Sequence, residues 1–204
     1  MSKKQNSNTS TEAELSSTKQ PPFKNLLFDR IIVIIGVLLN IACNVTIIKN
    51  SKSLTFLTPY VPETWNFESK LTTLAMISQF IGCYFLLITA HIWNLRFTTG
   101  NINPVNNVDP ESIVCLNRVL QNTVEQTFVF LPSLAYWVLK LSTEDNKHEA
   151  VLFGFIFVCG RIIFLVGYYF GTLIGLQTLR SFGMGLTYFV SVILIQRNFG
   201  LNLI

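Results

Sequence analysis

Long apolar stretches recur along most of the chain, and they set the tightest limit on how it can fold. A bilayer core of about 30 Å is crossed by roughly 20 helical residues, and lipid tolerates no unpaired backbone. Charged residues make up only 13% of the 204 positions, against about 25% in soluble domains. The sequence therefore predicts an all-α integral membrane protein with several crossings. The predicted helices cover residues 31–48, 71–95, 111–141, 150–173 and 182–196.

Polar segments divide the chain into four parts. Residues 1–25 are rich in Ser, Thr, Asn, Gln and Lys, which predicts a disordered polar tail. Residues 26–50 hold one N-terminal transmembrane helix, and residues 51–70 form a loop. Residues 71–204 hold the other four helices, which we expect to form one membrane domain.

The basic residues and the cysteines exclude two classes of function. The lysines and arginines ahead of the first helix are sparse and are not interleaved with aromatic residues, so no nucleic-acid partner is expected. The four cysteines form no C-x-x-C pair, and the two histidines lie far apart in the sequence. This pattern predicts no metal site.

Small and amide residues indicate where helices come together. Asn40 and Asn44 are four residues apart, so they share one face of the first helix and are expected to point at another helix. Gly183 and Gly185 in the last helix are expected to allow a neighbouring helix to approach closely.

Charged side chains inside membrane helices are costly, and by default they indicate a functional site. Arg118, Asn122 and Glu125 have the spacing i, i+4 and i+7, which places them on one helical face. Arg161 and Tyr168 are seven residues apart and also share a face. Two such faces turned together would form a pocket for a small ligand with carboxylates, because arginine binds a carboxylate with two hydrogen bonds. The alternative is a structural ion pair between Glu125 and Arg161.

These residues resemble the MAPEG family, the membrane-associated proteins of eicosanoid and glutathione metabolism. The family signature is R-x-x-x-N-x-x-E on one helix and R-x-x-x-x-x-x-Y on the next. Here the two motifs run from Arg118 to Glu125 and from Arg161 to Tyr168, and the resemblance extends over about residues 71–204. It implies a MAPEG-like four-helix bundle with one extra N-terminal transmembrane helix, assembled as a homotrimer. The implied location is an endomembrane such as the endoplasmic reticulum.

The resemblance also implies a function. Glutathione would be the co-substrate of a transferase or peroxidase that acts on lipophilic electrophiles arriving from the bilayer lipid. Five residues would bind glutathione, and Arg180 would be the catalytic residue that stabilises its thiolate. The five binding residues implied are Arg118, Asn122, Glu125, Arg161 and Tyr168.

Three departures from the family pattern favour a rival interpretation. Glutathione-using members usually have His or Gln where this chain has Leu120, and often Tyr or His where it has Phe164. More residues than usual separate Tyr168 from Arg180, which would displace Arg180 by about one helical turn. The rival is a non-catalytic membrane protein that keeps the MAPEG scaffold for assembly or ligand binding.

Overall fold

The computed structural model describes residues 26–100, 109–174 and 180–201, and within these ranges the chain forms helices and no strands. The all-α prediction is thereby confirmed. The predicted disordered tail, residues 1–25, lies outside the described residues. The five long helices are α1 (Leu26–Lys49), α2 (Phe67–Thr98), α3 (Glu111–Tyr136), α4 (Lys147–Ile174) and α5 (Arg180–Asn198).

Two stretches of helix in the described part of the chain are long and apolar enough to cross a membrane. They are Phe67–Thr98 and Glu144–Gly171, and a shorter apolar helix covers Val33–Lys49. Most large apolar side chains of α1 are exposed, among them Ile34 and Leu38 at about 60%. An exposed apolar surface of this kind suits contact with lipid rather than with water. Five crossings remain a prediction.

The core lies where α3, α4 and α5 meet. α5 packs against α4, α3 and α1, whereas α2 packs against α3 and α4. Phe130 of α3 and Phe157 of α4 are fully buried, and their rings stack with centroids 4.1 Å apart. Val190 and Leu194 of α5 complete this layer without any exposed surface. The α3–α4–α5 contacts therefore fix the helices that carry the candidate site.

The N-terminal helix packs against α5, and its buried Asn40 lies at the contact. Asn40 and Asn44 are 2% and 0% exposed, and each Nδ2 donates to the backbone carbonyl four residues earlier in α1. A Cβ atom on Gly185 of α5 would lie 2.8 Å from Asn40 Nδ2, so a larger residue at position 185 would force the Asn40 side chain to shift. The prediction that these asparagines face another helix is confirmed.

The predicted loop, residues 51–70, is largely helical. It contains 3₁₀ turns at Ser51–Ser53 and Thr55–Tyr60, and it ends in the first turn of α2. α2 begins at Phe67 rather than at residue 71, because the Asn66 side chain accepts the Ser69 N–H at 2.8 Å and caps the helix.

One tryptophan ties this connector to the α3–α4 turn. The Trp65 backbone N–H donates to Glu144 at 2.9 Å, and its indole N–H donates to Ser142 Oγ at 2.9 Å. Lys70 Nζ donates to the Ser142 carbonyl at 2.9 Å. The connector is thereby held against one end of the helical core.

Candidate functional site

Arg161 lies at the centre of the candidate site and is almost fully enclosed by the chain, with 1% of its surface exposed. Its Nη1 donates to Asn122 Oδ1 of α3 at 2.8 Å, and its Nη2 donates to Thr187 Oγ1 of α5. The rings of Phe164 and Phe157 lie 4.9 and 5.8 Å from its guanidinium carbon, within range of a cation–π contact. One arginine of α4 thus binds both neighbouring helices.

A close crossing of α4 and α5 makes the Arg161 contact with Thr187 feasible. A Cβ on Gly183 would lie 2.3 Å from the backbone nitrogen of Phe164 and 2.6 Å from the carbonyl oxygen of Gly160. The two backbones are therefore in direct contact one helical turn before Thr187. The predicted close approach at Gly183 is confirmed.

The partners that the structure gives Arg161 are neutral. Among the described residues, the side-chain ion pairs are Arg96–Asp109, Lys147–Glu144, Arg197–Glu149 and the longer pair Lys52–Asp145. The alternative of a Glu125–Arg161 ion pair is not realised within the chain. Glu125 is exposed, and its Oε1 accepts from Gln121 Nε2 at 3.1 Å. Arg161 Nε is buried and has no hydrogen-bond partner in the described part of the chain.

The face of α3 that carries Glu125 is exposed in the described part of the chain. Arg118, Gln121 and Glu125 are exposed, and the same face continues through the exposed Phe128 towards Tyr136. It is therefore polar at its N-terminal end and apolar at its C-terminal end. Of the three residues of the R-x-x-x-N-x-x-E motif, Arg118 and Glu125 are exposed, whereas Asn122 is half-buried and contacts Arg161.

Arg180 and Tyr168 form the other end of the site. The guanidinium carbon of Arg180 lies 5.1 Å from the centre of the Tyr168 ring. That ring meets Phe164 edge to face, with centroids 5.8 Å apart. Phe164 is buried and contacts both Arg161 and Tyr168, so it separates the enclosed guanidinium from the accessible one. Both Tyr168 and Arg180 are partly exposed.

Comparison with known proteins decides the family. The model of the MAPEG family matches residues 72–200, which is most of the chain and includes all six predicted site residues. The chain belongs to the MAPEG family. No match was found among curated proteins or among solved structures. Family membership and the apolar helices together make this a membrane protein.

Burial and the hydrogen bond between Arg161 and Asn122 divide the six predicted site residues into two sets. The enclosed set contains Arg161 and Asn122, which are joined by a hydrogen bond. The accessible set contains Arg118 and Glu125 on α3, and Arg180 with Tyr168 where α4 and α5 adjoin. Across its two parts, the accessible set offers two cations, one carboxylate and one phenol.

Two further residues of this MAPEG chain support the site and were not predicted. Thr187 accepts from Arg161, and the Tyr84 hydroxyl of α2 donates to the Arg161 backbone carbonyl at 2.8 Å. Thr187 lies four residues after Gly183, about one helical turn along α5. The glycine that permits close packing was therefore the feature of the sequence that could have indicated Thr187. Tyr84 is 77 residues from Arg161, and no local spacing indicates that contact.

Proposed function

We propose that this MAPEG protein is a membrane-bound, glutathione-dependent transferase or peroxidase that acts on lipophilic electrophiles. The observation that carries the proposal is the pairing of an enclosed arginine, which orients Asn122, with an accessible set of two arginines and a glutamate. Enclosed cations are costly in a membrane protein, and a purely structural contact would gain from a carboxylate partner that Arg161 lacks.

The groups of glutathione fit the accessible residues. Glutathione carries two carboxylates, one ammonium group, two peptide bonds and a thiol. Arg118 offers a guanidinium to a carboxylate, and Glu125 offers a carboxylate to the ammonium group. Asn122 keeps its amide N–H₂ group for a peptide carbonyl, because its Oδ1 is occupied by Arg161. In this proposal Arg161 is a positioning residue that acts through Asn122.

Arg180 would supply the chemistry. A thiol is a weak nucleophile until it loses its proton, and a neighbouring cation lowers its pKa and enriches the thiolate. In a transfer reaction the thiol proton first leaves to solvent. The thiolate sulfur then attacks the electrophilic carbon, and the carbon–sulfur bond forms while the bond from that carbon to the leaving group breaks. The leaving group departs with the electron pair of the broken bond. The Tyr168 ring, 5.1 Å from Arg180, would hold the guanidinium in place.

Replacing Arg180 by glutamine should lower glutathione-dependent turnover by about tenfold or more at pH 7, because a free thiol with a pKa near 8.5 is only a few per cent ionised there. The deficit should shrink as the pH rises towards 9, where glutathione ionises without help. Arg180→Lys, which keeps the positive charge, should restore much of the activity at pH 7. A pH-independent deficit in Arg180→Gln would show that Arg180 does not activate the thiol.

We infer that the functional unit is a homotrimer. The exposed polar surface formed by Arg118, Gln121 and Glu125 is unsuited to lipid, and a neighbouring subunit would cover it while completing the glutathione site. Native mass spectrometry of the protein released from a mild detergent should give three copies. A folded monomer in that experiment would remove the intersubunit site.

The membrane arrangement that accompanies this function is also a proposal. We infer that all five helices cross the bilayer, with α2–α5 as the MAPEG four-helix bundle and α1 as an addition docked on α5. We further propose residence in the endoplasmic reticulum or another endomembrane. Lipophilic electrophiles would then reach the site laterally from the bilayer.

A non-catalytic MAPEG scaffold is the second candidate, and one feature favours it. Phe164 is 3% exposed and Leu120 packs against the same apolar cluster, so neither position offers a polar group to glutathione. One activity measurement distinguishes the enzyme from the non-catalytic scaffold. An enzyme accelerates glutathione conjugation or peroxide reduction in reconstituted vesicles, whereas a scaffold gives the rate of the protein-free control.

A further inference from the structure

An apolar groove runs along the seam between α2 and α4, and none of the six residues assigned to glutathione lines it. Its first section is a cavity of about 340 Å³ whose walls come from α2, α4 and the connector. Ile77 packs onto Gly154 at its floor, where a Cβ on the glycine would lie 2.6 Å from the Ile77 side chain. The rim is open, with Phe80 and Ile162 about half exposed.

A second cavity extends this groove along the seam. It has a volume of about 370 Å³ and shares three lining residues with the first: Phe80, Val158 and Ile162. Along α2 the two cavities reach from Met76 to His91. At 1.5 Å per residue this is roughly 22 Å, or about three quarters of a 30 Å hydrocarbon layer. The groove is therefore long enough for one extended hydrocarbon chain.

The end of the groove near the connector opens into a polar cavity. This cavity of about 380 Å³ shares Tyr60 and Met76 with the apolar groove. Its polar wall is built by the start of α2. The side chains involved include those of Asn66, Glu68, Ser69, Thr72 and Thr73. Glu68 is the only charged group among the described lining residues, and none of them is a lysine or arginine.

We propose that the seam binds a monoacyl lipid with an uncharged, hydroxyl-bearing head group. The acyl chain lies in the apolar groove between α2 and α4, and the head group donates and accepts hydrogen bonds in the polar cavity. Glu68 and the absence of a cation among the described lining residues disfavour an anionic head group. None of the six residues assigned to glutathione lines this lipid site, although Tyr84 of the second cavity also donates to the Arg161 carbonyl. The proposal does not rest on the proposed use of glutathione.

The shape of the groove favours an acyl chain over a protein helix. A helix with its side chains is about 10–12 Å wide. The first cavity of about 340 Å³ lies between two helices that touch at Ile77 and Gly154, so its floor cannot separate to admit a third. Binding cavities for small molecules begin at about 300 Å³, and both sections of the groove exceed that size.

Photo-crosslinking of the full-length protein in phosphatidylcholine nanodiscs tests this proposal. The probe is monopalmitoylglycerol with a diazirine in its acyl chain. We expect crosslinked peptides from α2 around Phe80 and from α4 around Ile162, and we expect unlabelled monopalmitoylglycerol to compete. Palmitate, which has the same chain and an anionic head, should compete poorly. Labelling spread evenly over all the lipid-facing helices, or equal competition by palmitate, would overturn the proposal.

Matched variants locate the two parts of the site. Ile162→Trp should fill the groove and lose most of the labelling, whereas Ile163→Trp, next to it on α4 and also exposed, should retain it. Glu68→Lys should let palmitate compete, whereas Glu63→Lys, on the exposed connector beyond the described cavity lining, should not. If Ile162→Trp folds and is labelled like the parent protein, the groove is not the binding site.

Discussion

Replacing Arg161 by methionine should leave a folded protein that binds glutathione about tenfold more weakly, a factor that corresponds to ~1.4 kcal/mol. The variant loses the hydrogen bond that fixes Asn122 and the bond to Thr187. It also removes an enclosed charge. The loss of the hydrogen bonds lowers stability and the loss of the buried charge raises it, so the two effects oppose each other. Calorimetric titration of glutathione and thermal unfolding, measured on the same detergent-solubilised sample, separate binding from folding.

Asn122→Asp supplies the companion measurement. A carboxylate in place of the amide would give Arg161 the counter-charge that it lacks and would strengthen their bond, because charge-assisted hydrogen bonds are stronger than neutral ones. The same change removes the N–H₂ group that we assign to glutathione. We therefore expect a higher melting temperature together with weaker binding. If Arg161→Met and Asn122→Asp both bind glutathione like the parent protein, Arg161 has a structural role alone.

Among the glycines whose surroundings the structure describes, replacing Gly183 by alanine should have the largest effect on stability. The new Cβ would meet backbone atoms of α4 at 2.3 to 2.7 Å, and backbone atoms cannot rotate aside as a side chain can. Overpacking of this kind costs ~1–3 kcal/mol or more. α5 must move away from α4, which also pulls Thr187 from Arg161. The melting temperature and glutathione binding should therefore fall together.

Gly82→Ala is the matched control for this prediction. Gly82 also lies in a helix, but a Cβ there would have nothing within 4 Å. Alanine is favoured over glycine in a helix by ~0.5–1 kcal/mol, so this control should be neutral or stabilising. Equal melting temperatures for Gly183→Ala and Gly82→Ala would show that the α4–α5 crossing is looser than the structure has it.

Sequence spacing predicted that the motif residues of α3 share one face, but it did not predict that Asn122 is partly buried while Glu125 is exposed. At 3.6 residues per turn, Asn122 and Glu125 point about 60° apart around the helix axis. That angle is enough to turn Asn122 towards Arg161 while Glu125 stays exposed. Spacing shows that the motif residues share a broad face of α3. Which residues on that face are buried depends on where α4 packs, and the spacing does not contain that information.

The contacts that were not predicted all join distant parts of the chain. Asn40 and Asn44 could be assigned to one face towards another helix from their spacing. Gly185, which lies against Asn40, could not be assigned, because that contact depends on how α1 packs against α5. Tyr84 and Thr187 reach Arg161 in the same way, from helices whose order in space is set by packing. The family resemblance predicted the motif positions, but it carried no information on the added helix.

Glutathione binding to the full-length protein, measured by isothermal titration calorimetry in nanodiscs, tests the central claim most directly. The account predicts saturable binding that Glu125→Gln weakens by about tenfold or more, because Glu125 would lose its charge-assisted bond to the ligand ammonium group. Glu111→Gln, which changes another exposed glutamate on α3, should bind like the parent protein. A folded parent protein that gives no binding heat and no thermal shift with glutathione, or equal affinity in Glu125→Gln, would contradict the account.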